Sequence, residues 1–213
     1  MARLSPEQEE QRIYSLYEQQ RLAGAAACVL GVDEVGRGPV AGPLTVAAVV
    51  LPPQPYIPGL DDSKRLSAKR REELSAVIHE VALATGMAHI EPAAIDRGGM
   101  ALALRTAMVR AIEACGVKPD LIVIDGRPMH LGMGERCIVK GDSKVACIAA
   151  ASIIAKVARD ALMVEADLEY PGYGFASNKG YASAEHIKAI QTLGLSPLHR
   201  VSFCQGILQQ PLF

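Results

Sequence analysis

Two neighbouring carboxylates, Asp33 and Glu34, stand in the stretch GVDEVGRGPVAGP, directly before a turn bracketed by Gly36 and Gly38. Two further segments also end in an acid: VIDG at Asp125 and KGDS at Asp142. Each of the three segments reads as a strand or strand end, and in an open α/β sheet sites collect where strands finish. If the segments are neighbours, Asp33, Glu34, Asp125 and Asp142 converge. Four carboxylates at one point need a compensating charge. A divalent cation supplies it, and oxygen-only ligands suit Mg2+ or Mn2+. No cluster of Cys and His offers the softer set that zinc prefers. Taken singly, the acids have plainer roles: Asp142 could cap the helix that follows, and Asp125-Gly126 could be an ordinary turn. The adjacent pair resists that explanation. Neighbouring strand residues point to opposite faces, so one carboxylate would face the core unless the strand ends there.

Gly36 and Gly38 let the backbone N–H groups of Gly36-Arg37-Gly38 approach a ligand closely. The spacing from Gly31 to Gly36 begins like a nucleotide phosphate loop, but Arg37-Gly38 stand where Lys and Ser or Thr are needed. Carboxylates inside such a loop would repel phosphates, which excludes the nucleoside-triphosphatase reading. Lysines accompany the acids: Lys64 in DSK, Lys144 in KGDSK and Lys179 in NKG. Alone, each is a solvated loop lysine; on one sheet edge they form a positive rim around an anionic substrate. Metal and rim together imply phosphoryl transfer or phosphodiester hydrolysis. Tyr173, Phe175 and Tyr181 lie in the loop YPGYGFASNKGYAS, where rings could stack on a sugar or base. For Tyr173 and Phe175, covering a hydrophobic edge is the simpler role.

The elements that must position these groups follow from pattern. Ser5, Pro6 and Gln8 open a helix that runs to about residue 22. AACVLGVD and PLTVAAVVL form a hairpin, followed by a proline-rich surface loop over residues 52–67. Ser67 caps a helix with Leu74, Val77, Ile78 and Val81 on one face. TGMAHIE is a third strand, and residues 94–114 are a core helix. PDLIVIDG, with five apolar residues, reads as a strand buried on both faces. ERCIVK is another strand, a long helix runs from Val145 to about Glu169, residues 183–193 form a last helix, and the tail is irregular. Half of the 213 residues are hydrophobic, Trp is absent, and the core must be Ala, Val, Leu and Ile, as in an α/β protein. The net charge of -1 leaves any attraction to phosphate local. Cys28, Cys115, Cys137, Cys147 and Cys204 form no C-x-x-C pair and read as reduced, buried thiols of a cytoplasmic protein. The amino terminus is too charged for a secretory signal, and no apolar run spans a membrane.

In order and spacing, GVDEVGRGPVAGPL, DSKRLS, IDG, KGDSKVACIAAASIIAKVARD and YPGYGFASNKGYASAEH resemble the ribonuclease HII family over about residues 28–200. The resemblance implies a ribonuclease-H-like mixed sheet flanked by helices. Residues 1–213 would form one domain, with a core over about 25–165 and a helical carboxy-terminal region over about 166–213. It implies an endoribonuclease that hydrolyses the RNA strand of RNA–DNA hybrids. The same enzyme would incise 5′ of a single ribonucleotide embedded in duplex DNA, leaving 3′-hydroxyl and 5′-phosphate ends. Asp33, Glu34, Asp125 and Asp142 would hold two Mg2+ or Mn2+ ions, with Asp33 bridging them. Gly36-Arg37-Gly38 would read the ribose 2′-hydroxyl, and Tyr181 would stack on the deoxyribose at the RNA–DNA junction. Asn178, where the family often has His, and the IDRGGM segment depart from the pattern without touching the acids. The tail ILQQPLF reads first as a strand or helix cap packed on the domain; its loose similarity to short sliding-clamp-binding peptides keeps a clamp as the alternative partner. The rival functions are another metal nuclease of the same fold, such as a junction resolvase or integrase, and a non-catalytic hybrid-binding module.

Overall fold

A computed structural model describes residues 5–23 and 28–209. Helix α1 (Pro6–Ala23) starts with the expected capping box: the Gln8 N–H donates to Ser5 Oγ at 3.2 Å and the Ser5 N–H to Gln8 Oε1 at 2.9 Å. Strands β1 (Val29–Val35) and β2 (Leu44–Val50) form the expected antiparallel hairpin, Asp33 opposite Ala47. Residues 24–27, the last two of which begin the expected first strand, lie outside the described residues. Strand β3 (Ala84–Ile90) pairs with the far edge of β2. Strands β4 (Leu121–Asp125) and β5 (Arg136–Ile138) run parallel to β1, giving the order β3-β2-β1-β4-β5.

Both faces of this sheet are covered. On one lie α2 (Ala68–Val81) and α4 (Ala146–Glu169), with α1 against them; on the other lies α3 (Pro92–Ala114). The strand alternation sorts side chains accordingly. Leu30 and Val32 join the α3 layer, whereas Val29 joins the α4 layer together with Ala47, Val49 and Val123. Gly31 faces α4 so closely that a Cβ there would stand 2.4 Å from the Cys147 carbonyl carbon and 2.5 Å from the Ile148 nitrogen. The absence of a side chain seats the first turn of α4 on β1. Gly31→Ala is therefore expected to lower stability by about 3 kcal/mol through overpacking. An unchanged denaturation midpoint would contradict this contact.

Several local expectations are corrected. Val77 is 37% exposed, because the buried stripe of α2 runs through Leu74, Ser75 and Ile78 and turns Val77 away. Helix α3 is broken at Gly99, whose φ of 77° and ψ of 162° are open to glycine but not to the helix expected there without a break. Strand β5 stops at Ile138, and Lys140 turns left-handed at φ 57°. The cysteines are free, but Cys28, Cys115 and Cys137 are half-buried and only Cys147 and Cys204 are buried. The tail is not wholly irregular. After short α5 (Phe175–Asn178) and α6 (Ala184–Leu193), a further helix, α7 (Val201–Leu208), is started from a distance. Asp96 accepts from the N–H groups of Val201 at 2.8 Å and Ser202 at 3.0 Å. Residues 210–213 of the tail motif lie outside the described residues. Among the described residues no helix is long and apolar enough to cross a membrane.

Candidate active site

Strand parity decides which acids meet. Asp33 lies two residues beyond Gly31 and Asp125 two beyond Val123, so both point to the α4 face near the start of that helix. Asp142 reaches the same place from a short 3-10 turn, Gly141–Ser143. Oxygens of Asp33, Asp125 and Asp142 lie within 4.8 Å of one another. The Gly141 N–H donates to Asp125 Oδ1 at 2.6 Å, which ties the carriers of two of the acids together. Asp142 does not cap α4, whose N-cap position is Val145. Glu34, the next residue along β1, sits on the opposite strand face and outside this trio; its carboxylate meets the Arg37 guanidinium at 3.2 Å.

The electrostatics of the trio are unfavourable in the absence of a cation. Asp33 is 5% exposed. Burial first, then the charges of Glu34 and Asp125, hold its carboxyl well above the usual range. Burial also raises Glu34, with Arg37 opposing it, and raises Asp142, with the hydrogen bond from Lys64 opposing it. Lys64 Nζ is 3.1 Å from Asp142 Oδ2, and its turn is fastened to α4 by the Ser63 N–H donating to Ser152 Oγ at 3.2 Å. Three hard oxygen donors, two of them almost wholly buried and one partly neutralised, fit a divalent cation of the Mg2+ or Mn2+ kind. The other two lysines bond locally: Lys144 Nζ to the Val139 carbonyl at 2.7 Å and Lys179 Nζ to the Ala176 carbonyl at 2.6 Å.

The glycine turn is held from behind. Arg200 is fully buried and donates to four carbonyls, those of Gly36 at 2.7 Å, Arg37 at 3.2 Å, Pro39 at 2.9 Å and Gly42 at 2.8 Å. Arg159, also fully buried, donates to Pro43 at 2.9 Å, Ala41 at 3.1 Å and Lys179 at 2.9 Å. With carbonyls drawn inward, the turn is free to present N–H groups outward. Gly36 has φ 94°, and a Cβ there would come within 2.4 Å of Arg159 Nε. The Tyr181 turn is laced to the same segment, since the N–H groups of Val40 and Ala41 both donate to the Gly180 carbonyl. The Tyr181 ring is 47% exposed and stands over Gly38, its Cε1 3.9 Å from the place a Cβ would take. Tyr173 and Phe175, by contrast, are buried and stacked with centroids 5.3 Å apart, in the covering role expected of them.

Sequence reasoning passed over Arg159 and Arg200. For Arg159 a signal existed: Ala155, Arg159 and Met163 recur every fourth residue on the buried stripe of α4. Arg200 carries no such signal, because the carbonyls it serves lie some 160 residues upstream.

The model of the family described as Ribonuclease HII matches residues 30–206. A ribonuclease HII of Laribacter hongkongensis is 50% identical over 192 residues, covering 86% of this chain and 97% of its own. One from Cereibacter sphaeroides is 49% identical over 189 residues, covering 88% and 89%. Among solved structures, the ribonuclease H2 of Pyrococcus horikoshii OT3 has a TM-score of 0.72 at 27% identity over 84% of this chain and 96% of that one. The ribonuclease HII of Archaeoglobus fulgidus, solved in complex with PCNA, has a TM-score of 0.70 at 25% identity over 86% and 98%.

Proposed function

The chain belongs to the ribonuclease HII family, with the mixed sheet and helices of a ribonuclease-H-like nuclease, and on that premise we propose that it incises the strand that carries ribose, both in RNA–DNA hybrids and 5′ of a single ribonucleotide in duplex DNA. The observation that carries the reading is one of adjacency. Asp33 of the trio stands at the end of β1 three residues before Gly36, Arg37 of the turn meets Glu34 at 3.2 Å, and the Tyr181 ring stands over Gly38. Asp33, Asp125 and Asp142, together with Glu34, would hold two divalent cations of the Mg2+ or Mn2+ kind. Such ions would supply positive charge to the scissile phosphate and would lower the pKa of the attacking water. The protein's own groups do the selecting. Backbone N–H groups of Gly36-Arg37-Gly38 bond the 2′-hydroxyl, the feature that separates RNA from DNA. Tyr181 packs on the following sugar. Arg37, Lys64, Lys144 and Lys179 offer positive charge to the flanking phosphates.

Two duplexes that differ by one hydroxyl test the reading. A DNA duplex with one ribonucleotide is expected to be cut on the 5′ side of that ribonucleotide when Mg2+ or Mn2+ is present, leaving 3′-hydroxyl and 5′-phosphate ends. The same duplex in all-DNA form is expected to stay intact, and excess chelator to stop cleavage of the first. Equal cutting of both points to a resolvase-like nuclease. Binding without cleavage in Mn2+ points to a hybrid-binding module.

The tail at residues 207–213 is proposed to dock on a sliding clamp, a reading supported by the Archaeoglobus relative solved with PCNA. Removal of residues 209–213 should abolish co-elution with a clamp and leave cleavage intact.

A further inference from the structure

Two buried histidines in the carboxy-terminal region take no part in the reaction described above. His186, in the first turn of α6, is 0% exposed, and His199, just before α7, is 3% exposed. Their Nε2 atoms lie 3.1 Å apart, so one nitrogen carries a hydrogen and the other a lone pair. The neighbours decide which. The Ser196 backbone N–H donates to His199 Nδ1 at 2.9 Å, so that nitrogen is bare and the His199 hydrogen sits on Nε2. His186 Nε2 must then accept, which puts the His186 hydrogen on Nδ1. There it meets the Tyr181 carbonyl at 2.8 Å. The Ser196 hydroxyl also lies 2.8 Å from His199 Nδ1 and donates to it in the same arrangement, so one placement of hydrogens satisfies all four links and leaves both rings neutral. Burial lowers both imidazole pKa values; at His199 the adjacent His186 adds to it, and the value falls to about 4. The ring orientations are set by aromatic neighbours: Tyr173 at 4.9 Å from His199, and Phe175 edge-on at 5.4 Å from His186.

The residue at the end of this chain matters. Gly180, just before Tyr181, is anchored by the N–H groups of Val40 and Ala41 on its carbonyl and by Asn178 Oδ1 on its own N–H. The Tyr181 carbonyl is the next link of the turn, and it is held by the Ser183 N–H and by His186. We propose that His186 and His199 are positioning residues: a one-way hydrogen-bond chain from the Ser196 N–H to the Tyr181 carbonyl sets the backbone that aims the Tyr181 ring over the glycine turn. The inference rests on Tyr181 being the sugar-contacting residue.

Kinetics of single-ribonucleotide cleavage test this. His186→Asn keeps an N–H near the position of Nδ1, whereas His186→Leu has a similar shape and no donor. The Leu variant should lose about tenfold in kcat/KM, the scale of one misdirected hydrogen bond, and the Asn variant should recover most of it. In a Tyr181→Ala background the Leu substitution should have no further effect. If the two losses multiply instead, or if folded Asn and Leu variants are equally impaired, the positioning role is overturned. If Tyr181→Ala by itself cleaves like the parent, the sugar-contact reading fails, and the positioning role with it. Nitrogen-15 NMR of the intact protein needs no variant: His186 is expected as the Nδ1–H tautomer and His199 as Nε2–H. The reverse pair of tautomers, or a charged ring at neutral pH, overturns the proposal.

Discussion

Asp33→Asn should stop hydrolysis and at the same time make the metal-free protein more stable. The carboxylate is nearly inaccessible to water and shares its surroundings with Asp125 and Asp142. Its charge is a liability until a cation arrives. With the trio as the proposed cation site, losing one of its carboxylates removes a proposed ligand, and cleavage should fall about a thousandfold or more, roughly 4 kcal/mol in the barrier. Binding of a hybrid should persist, since the glycine turn and basic side chains are untouched. The stability gain has a definite sign. The folded Asp33 carboxyl titrates above its ordinary value of 3.8. Between these two values the folded protein holds more protons than the unfolded chain, so stability falls as pH rises through the window. Raised Glu34 and Asp142 act in the same sense. Asparagine imitates the protonated form and removes the Asp33 contribution to that slope. In chelator at neutral pH the variant should melt about 2–4 °C higher, corresponding to about 1 kcal/mol. A lower melting point, or cleavage near the parental rate, would sink the assignment.

Arg200→Met should have the largest effect on stability. Its guanidinium is fully buried, with its charge met by backbone carbonyl dipoles. Burial first, then the charge of Arg159, lower its pKa to about 10, still above physiological pH, so the group stays charged. Methionine fills similar space but leaves the carbonyls of Gly36, Arg37, Pro39 and Gly42 without their donor. Each buried polar group left unpaired costs about 1–3 kcal/mol, partly relieved by relaxation. A net loss of about 3–5 kcal/mol is expected, seen as a fall in melting temperature of about 10 °C. Arg200→Lys should recover only part of it, because an ammonium cannot reproduce the planar fork that serves several carbonyls at once. A Met variant that melts like the parent would show that the turn is held by its other bonds.

These two residues mark how far the chain could be read before folding. Asp33, Asp125 and Asp142 were legible because each follows an apolar run, and such ends are written in a few consecutive residues. The hairpin, the capped helices and the buried β4 strand were legible on the same local grounds. Gly31, Gly36 and Tyr181 came into view through motif spacing, with the reason for Gly31 supplied only by the approach of α4.

What pattern could not supply lies in pairings between distant segments. The order β3-β2-β1-β4-β5 brings the three acids together, and the pleat sends Asp33 to the α4 face and Glu34 to the other. Helix α7 looked irregular because its N-cap residue, Arg200, offers no side-chain acceptor, and the carboxylate that receives its first N–H groups, Asp96, belongs to α3. Arg200 and the histidine chain were hidden for the same cause: their partners are carbonyls and ring nitrogens on other turns, and backbone carbonyls leave no mark in composition or periodicity. Residue identity and local spacing thus specified which acids stand at element ends and most of the elements, because both depend on a handful of neighbours. Sheet order and side-chain parity decided which groups share a space, because those follow from closing long loops around one core.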